Sequence, residues 1–276
     1  MSGPKLRIKE TLRMALYAPA VKAAIEVIPG LRTIYHPWQR SHPFDRFYGI
    51  DASGILPAEK IHADPKLAAA IIGYAGSQAG VVRGALSALG DTRDYVFIDV
   101  GCGKGRAAIA ASEFPFREII GIELSAELAN IARRNVLKIS ERFPDRPPIA
   151  IHAGNALDFS LPPRKSVIYT YHALGRELLK RFVAKLESAL DAPDAPEMFF
   201  VYCNPVFGEV LDASPALNRW YADVIPYDPS EIGFGPDESD TVVIWQSARH
   251  ARPSPHSRTG RKIVIVKPNM RAGLSD

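Results

Sequence analysis

Cysteine is scarce in this chain: Cys102 and Cys203 are the only two among 276 residues. Two thiols so far apart give no disulfide framework and no metal-ligand spacing, which points to a reducing, cytoplasmic setting. Long apolar runs are missing as well, and none approaches the ~18 residues needed to cross a bilayer. The stretch around Met14, Leu16 and Tyr17 has the look of a leader, but Pro19 and Lys22 break it at about the minimum length such a segment needs. No internal repeat and no low-complexity segment is present, which excludes solenoid and fibrous architectures. No His/Cys/acid cluster has metal-site spacing, and no serine sits in a nucleophile elbow, so metallohydrolase and Ser-His-Asp chemistry are unsupported.

What the chain does have is a 47% apolar content, enough for a sizeable core. Its net charge of +4 is unevenly spread. Residues 1–50 carry eight Lys/Arg against three Asp/Glu, residues 249–276 carry seven against one, and the remainder carries 19 against 26. An acidic body with basic ends predicts weak contact with an anionic surface, or else simply solvated termini.

Along the chain, Leu6, Ile8, Leu12, Leu16, Val21, Ala24, Ile25 and Ile28 recur at helical spacing, broken at Pro19. Residues 30–58 are rich in Pro, His and aromatics (Tyr35, Trp38, Phe44, Phe47, Tyr48) and read as a cap packed on a core. Residues 65–89 read as helical, with Gly90 and Asp91 as the stop. From Asp94 onward the pattern alternates. Strands are predicted at 95–100, 118–123, 149–152, 166–171 and 198–203, with helices at 105–114, 125–139 and 176–190 between them. A further helix falls within 206–221, and two closing strands at 241–246 and 262–266 form an antiparallel pair. This is an α/β pattern: a Rossmann-like, seven-stranded, mostly parallel sheet with helices on both faces and an N-terminal helical and aromatic cap. The division falls between a cap, 1–65, and the main domain, 66–276. Ligands in such sheets sit outside the C-terminal strand ends, which places the loops after residues 99, 123, 154 and 171 on one rim.

The chemistry concentrates in Asp99-Val100-Gly101-Cys102-Gly103-Lys104-Gly105, where a buried strand turns into a helix. Glycines there let a ligand approach the main chain. A dinucleotide fingerprint needs G-x-G-x-x-G, and its third glycine would fall at Arg106. Asp99 at the strand end would repel a pyrophosphate and attract an ammonium group. Glu123, ending the next strand, suits two ribose hydroxyls. Together these residues suit adenosine joined to a cationic amino acid.

On these motifs the chain resembles the class I S-adenosylmethionine-dependent methyltransferases. Residues 96–106 look like their first motif, Gly121-Ile122-Glu123-Leu124-Ser125 like the second, and Gly154-Asn155-Ala156-Leu157-Asp158 like the third. The likeness is closest to poorly characterised bacterial members with an upstream Tyr-Gly-x-Asp, here Tyr48-Gly49-Ile50-Asp51, and a G-K-G-R loop, a group distantly like protein-lysine methyltransferases. The resemblance implies S-adenosylmethionine as cofactor, held by Asp99, Gly101, Gly103, Gly105, Glu123, Leu124, Asn155 and Ala156. It also implies that an upstream tyrosine and hydroxyl residue, matched by Tyr74 and Ser77, contact it. Where relatives often carry Asp, this chain has Asn155, and its fourth strand ends Thr170-Tyr171-His172-Ala173-Leu174 rather than in an Asn-Pro motif; Asn204-Pro205 follows the fifth strand instead.

Tyr171 and His172 then become the candidate catalytic pair, His172 as a base for an amine or hydroxyl acceptor; the alternative is a loop histidine that only packs. Cys102 reads as a small filler and His152 as a strand residue without a ligand role. The expected activity is methyl transfer without a metal, to a protein amine first, a small molecule second and nucleic acid third. A nicotinamide-dependent oxidoreductase and a non-catalytic cofactor-binding scaffold are the alternatives.

Overall fold

A computed structural model describes residues 21, 40–61, 71–234, 237–251 and 253. The expected N-terminal helix (5–28), the strand at 262–266, most of both basic ends and the boundary at 65/66 lie outside the described residues. Elements are numbered here in the order in which they occur among those described.

Seven strands form the central sheet: β3 (Val96–Val100), β4 (Glu118–Glu123), β5 (Ile149–Ala153), β6 (Ser166–Tyr171), β7 (Met198–Cys203), β8 (Leu217–Pro226) and β9 (Ser239–Ser247). Their order across the sheet is β5-β4-β3-β6-β7-β9-β8. All neighbours from β5 to β7 are parallel, and β9 runs antiparallel to both β7 and β8. The chain therefore reverses direction across the sheet between β3 and β6, and the C-terminal ends of these two strands flank the switch point where open α/β sheets bind ligands. β3 and β7 are buried at every position, as expected for strands covered on both faces.

The helices cover both faces. One face packs α3 (Ala79–Ser87), α4 (Arg106–Ala111) and the short α1 (Pro43–Tyr48) against Phe97, Ile119, Tyr169 and Phe199; the other packs α6 (Arg176–Leu190) against Ile98, Ile168 and Phe200. α5 (Ala126–Arg142) starts at Ser125, whose hydroxyl accepts the Leu128 N–H at 3.3 Å, a normal N-cap. Phe44 and Tyr48 of α1 are buried in the first cluster, so this part of the aromatic segment is core. Phe47, by contrast, is 64% exposed. No described helix is long and apolar enough to cross a membrane.

One expectation is corrected, and one strand is added. Residues 71–78 are not helical: β2 (Tyr74–Ala75) pairs with β1 (Ile55–Leu56), and Ile71 bridges to Leu174. Gly73 has φ +103°, and a Cβ at Gly76 would lie 2.5 Å from the Arg106 guanidinium, so the segment is built around backbone contacts that a helix cannot supply. The helix expected within 206–221 is the one-turn α7 (Glu209–Asp212), and 217–226, for which no strand is predicted, is β8. β8 is an edge strand with a register shift between Arg219 and Tyr221. That bulge breaks the period-two alternation by which a strand is read from sequence. β8 and β9 form an antiparallel pair; the strand expected at 262–266 lies outside the described residues.

Candidate functional site

Local chain geometry builds the site at the ends of β3, β4, β5 and β6. After β3 the backbone turns through Gly101, Gly103 and Gly105, with φ of +77°, +54° and +88°. Side-chain-bearing residues rarely adopt such angles, and at Gly101 and Gly103 space forbids them too. A Cβ at Gly101 would come within 2.4 Å of the Ala173 Cβ, and one at Gly103 within 2.3 Å of the Tyr74 ring. Gly103 is thus needed for Tyr74 to lie across the loop. This differs from the simpler expectation that its missing side chain makes room for a ligand.

The loop is clamped from behind. Arg106 is buried and uses all five of its N–H donors. It forms a bidentate pair with Asp45 (2.9 and 2.8 Å) and donates to the carbonyls of Ala52 (2.7 Å), Gly76 (3.0 Å) and Ser77 (3.3 Å). Asn135 of α5 accepts the Asp51 N–H at 2.9 Å and donates to the carbonyls of Asp51 and Lys104. Lys104 reaches the Asp51 carboxylate at 3.0 Å and the Ser53 carbonyl at 2.9 Å. The upstream Tyr-Gly-x-Asp segment and the G-K-G-R loop are therefore two halves of one clamp. Asp45 and Asn135 were not singled out from sequence. The one available signal was Arg106, an arginine where close helix–strand packing favours a small residue.

In front of the clamp lies a cavity of about 620 Å³. Tyr74, Ser77, Asp99, Gly101, Glu123, Leu124, Asn155 and Ala156 all line it, and Tyr171 and His172 close its far side. Gly103 and Gly105 stand behind the lining rather than in it. The Tyr74 hydroxyl is spent on the Ala52 carbonyl at 2.6 Å, so a ligand meets the ring. A second concavity of about 560 Å³ lies at the opposite strand ends, bordered by Glu187, Asp191, Arg249 and His250; its charged walls are surface side chains.

The electrostatics of the main cleft are those of a site short of a cation. Asp99 is 2% exposed, and its Oδ2 has no hydrogen-bond partner. Burial, reinforced by the charge of Glu123, raises its pKa to about 8. Glu123 is also buried and raised by desolvation. Its Oε2 accepts the Gly103 N–H at 2.8 Å and its Oε1 the Ser125 N–H at 2.9 Å, leaving further lone pairs on both oxygens. Asn155 folds its Oδ1 back onto the Leu157 N–H at 2.9 Å, which leaves its amide N–H groups for a ligand. An unpartnered buried carboxylate oxygen is costly, and a bound ammonium group would satisfy it. Among the described residues no group of three His, Cys, Asp or Glu side chains is placed to hold a metal.

The far side differs. His172 has φ +43° and its Nδ1 lies 2.9 Å from the Tyr202 hydroxyl. Either tautomer satisfies this contact, the hydroxyl donating to a bare Nδ1 or accepting from a protonated one. Burial lowers the His172 pKa to about 4. The ring is therefore neutral at physiological pH, with one of its nitrogens engaged by Tyr202. Tyr171 faces a buried acid, Asp240, whose pKa burial raises to about 6 and whose carboxylate also accepts the Tyr227 hydroxyl at 3.1 Å.

No protein-family model matches the chain, and no curated protein matches it. Solved structures do. TrmN from Thermus thermophilus aligns at 13% identity and a TM-score of 0.43, over 60% of this chain and 48% of that one. TrmK from M. capricolum, in complex with S-adenosyl-homocysteine, aligns at 12% identity and a TM-score of 0.42, over 60% and 67%. An RNA methyltransferase from Salinibacter ruber, in complex with S-adenosyl-L-homocysteine, aligns at 18% identity and a TM-score of 0.39, over 62% and 93%. This chain spans about half the length of the Thermus protein. Likeness at this level concerns the arrangement of strands and helices alone.

Proposed function

We propose that the chain is an S-adenosylmethionine-dependent methyltransferase whose cofactor occupies the cleft between the glycine loop and Asn155. The observation that carries this reading is Asp99: a buried carboxylate oxygen without a partner, lining a cavity beside a glycine turn. In the bound state Asp99 holds the ammonium group of the cofactor's amino acid. Glu123 accepts from the ribose hydroxyls, and the Asn155 amide meets the base. The ring of Tyr74 covers the glycine loop. Bound S-adenosylmethionine supplies an electrophilic sulfonium methyl group. The protein's own contribution is to align the acceptor with it and to exclude water, which well-oriented sites turn into about 7–11 kcal/mol.

The acceptor enters on the side of Tyr171 and His172. A protein amine is our first reading and a small molecule our second. The supporting feature for an amine is the aromatic ring of Tyr171 with the acid Asp240 behind it, a pairing that suits a cationic group. We assign the His172 proton to Nε2, with Nδ1 accepting from the Tyr202 hydroxyl, which makes the ring a donor toward the acceptor rather than its base.

The test is ligand stabilisation. S-adenosylhomocysteine at 100 times its dissociation constant should stabilise the protein by about 2.7 kcal/mol, a melting shift of roughly 5–10 °C for a chain of this size. NAD should give none, because its pyrophosphate would face Asp99. A shift with NAD and none with S-adenosylhomocysteine would overturn the proposal. Labelled S-adenosylmethionine, offered with fractionated protein, small-molecule and nucleic-acid pools, then identifies the acceptor class; no label in any pool would favour the scaffold alternative.

A further inference from the structure

The loop that carries Asn155 leaves an edge strand. β5 is the outermost strand of the sheet, so the carbonyls that follow it have no neighbouring strand to bond. Three of them converge on one ammonium group. Lys185, in the third turn of α6, donates to the carbonyls of Ala156 (3.2 Å), Leu157 (2.6 Å) and Phe159. Three donors meet three acceptors, the full capacity of a lysine. No carboxylate lies within salt-bridge distance of it among the described residues; Asp158 acts on it only as a nearby charge. Lys185 is half-buried and lies outside the cleft lining.

We infer that Lys185 is a positioning residue for the cofactor's base, acting through the 155–159 turn; this rests on the cofactor reading above. The turn begins with Asn155, whose Oδ1 accepts the Leu157 N–H and whose carbonyl accepts the Asp158 N–H. The plane of the Asn155 amide is thus fixed by residues 157 and 158. Their position depends in turn on the carbonyls that Lys185 gathers. Removing the ammonium leaves three partly buried acceptors without a donor. The turn then relaxes toward water, and the Asn155 amide loses the orientation in which its N–H groups face the cavity. α6 begins at Arg176, just beyond the loop of Tyr171 and His172. One helix therefore anchors the base end of the cleft at its third turn and leads from the acceptor end at its start.

The experiment compares wild type, Lys185→Met and Lys185→Arg by calorimetric titration with S-adenosylhomocysteine, adenosine and inosine. Circular dichroism confirms that each variant is folded. Lys185→Met should weaken S-adenosylhomocysteine and adenosine in parallel, by about tenfold, as expected for the loss of one charge-assisted anchor. The ratio of adenosine to inosine affinity should narrow, because the misaligned amide no longer reads the base edge. Lys185→Arg should restore most of both. A purely structural lysine would lower the unfolding midpoint yet leave the adenosine-to-inosine ratio of the folded protein unchanged, and that result overturns the inference. If wild type binds S-adenosylhomocysteine and Lys185→Met binds it equally well, Lys185 has no part in the site. If wild type binds neither S-adenosylhomocysteine nor adenosine, the cofactor reading fails and the inference falls with it.

Discussion

The two halves of the cleft rim bend their backbones by different means. On the side of β3 and β4, positive φ falls on Gly101, Gly103 and Gly105, and two buried carboxylates, Asp99 and Glu123, face the cavity. On the side of β6 and β7, positive φ falls on His172 (+43°) and Asn204 (+52°), both of which line the same cavity. Glycine is used where a Cβ would collide, as with the Ala173 Cβ or the Tyr74 ring. Histidine and asparagine are used where the chain must turn just as sharply and still present a side chain, at a strain of about 1–3 kcal/mol each. The first half is an acidic receptacle with fixed walls, in which Asp99 keeps its proton at neutral pH until a cation takes its place. The second lines the cavity with Tyr171, His172 and Asn204. On the function proposed above, the first half holds a cationic ligand and the second leaves the other partner to be recognised by shape and hydrogen bonding.

The largest effect expected in breaking this contrast comes from the clamp behind the glycine half. Arg106→Met leaves Asp45 buried without its partner, and losing one member of a buried pair costs about 3–5 kcal/mol. Urea unfolding should show that loss, together with lost S-adenosylhomocysteine binding, since the Ala52, Gly76 and Ser77 carbonyls lose their common donor. A change below about 1 kcal/mol, the range of an exposed ion pair, would show the clamp to be peripheral.

Next in size is Asp99→Asn, which should weaken S-adenosylhomocysteine by about 1.5–3 kcal/mol, the worth of a hydrogen bond to a charged group. The same variant should be more stable without ligand. The Asp99 pKa is about 8 in the folded protein against an ordinary 3.8, so between these values the folded state keeps a proton that the unfolded chain has given up. Stability from this group is therefore complete below about 3.8, falls as pH rises toward 8 and levels off beyond. The difference between Asp99→Asn and wild type should grow across that window in the variant's favour, in thermal melts at pH 5, 6.5 and 8. A constant difference would mean that Asp99 does not titrate there. Somewhat smaller is Gly103→Ala, which must push the Tyr74 ring aside and hold alanine at φ +54°. A loss of about 1–3 kcal/mol is typical of such overpacking, and wild-type stability in this variant would remove the packing argument for the glycine.

The same contrast explains what could be read from sequence. Glycines flanked by acids at a strand end leave a pattern that spacing exposes, and β4, β6, α6 and β7 begin and end where hydrophobic runs and turn residues place them. The clamp was not legible, because Asp45, Asn135 and Arg106 are far apart in sequence and meet only in the fold; an arginine in place of a small residue was the sole local trace. β8 was not legible because its bulge scrambles the alternation and its edge position tolerates Asn218, Arg219 and Asp223. The chemistry of His172 was not legible either. A histidine on a rim loop invites the role of base, and the tyrosine 30 residues away whose hydroxyl engages Nδ1 leaves no local trace.

The smallest effect is expected at His172, and its size distinguishes the two roles. A general base contributes about 10²–10⁴-fold to turnover, whereas a single neutral hydrogen-bond donor is worth about 0.5–1.5 kcal/mol, roughly tenfold or less. On the proposed assignment, with Nδ1 accepting from Tyr202 and the proton on Nε2, His172→Gln should cut methyl transfer by no more than tenfold, because the glutamine amide still donates. S-adenosylhomocysteine affinity should stay within about twofold, since the cofactor's charged groups lie on the other side of the cleft; a twofold change is about 0.4 kcal/mol. The pH dependence gives an independent reading. The folded-state pKa of His172 is about 4, below the ordinary 6.5, so its contribution to stability is complete above about 6.5 and is lost as pH falls toward 4, where the unfolded chain takes up a proton that the folded one refuses. His172→Gln should shed that part of the acid sensitivity, leaving a shallower decline between pH 6.5 and 4 than wild type; His42, likewise lowered to about 4 by burial, keeps the remainder in both. Turnover in wild type should show no ionisation near 6.5 that disappears in the variant. A hundredfold loss of turnover together with such an ionisation would restore the base role, and would require the Tyr202 hydroxyl to release Nδ1 when the acceptor binds.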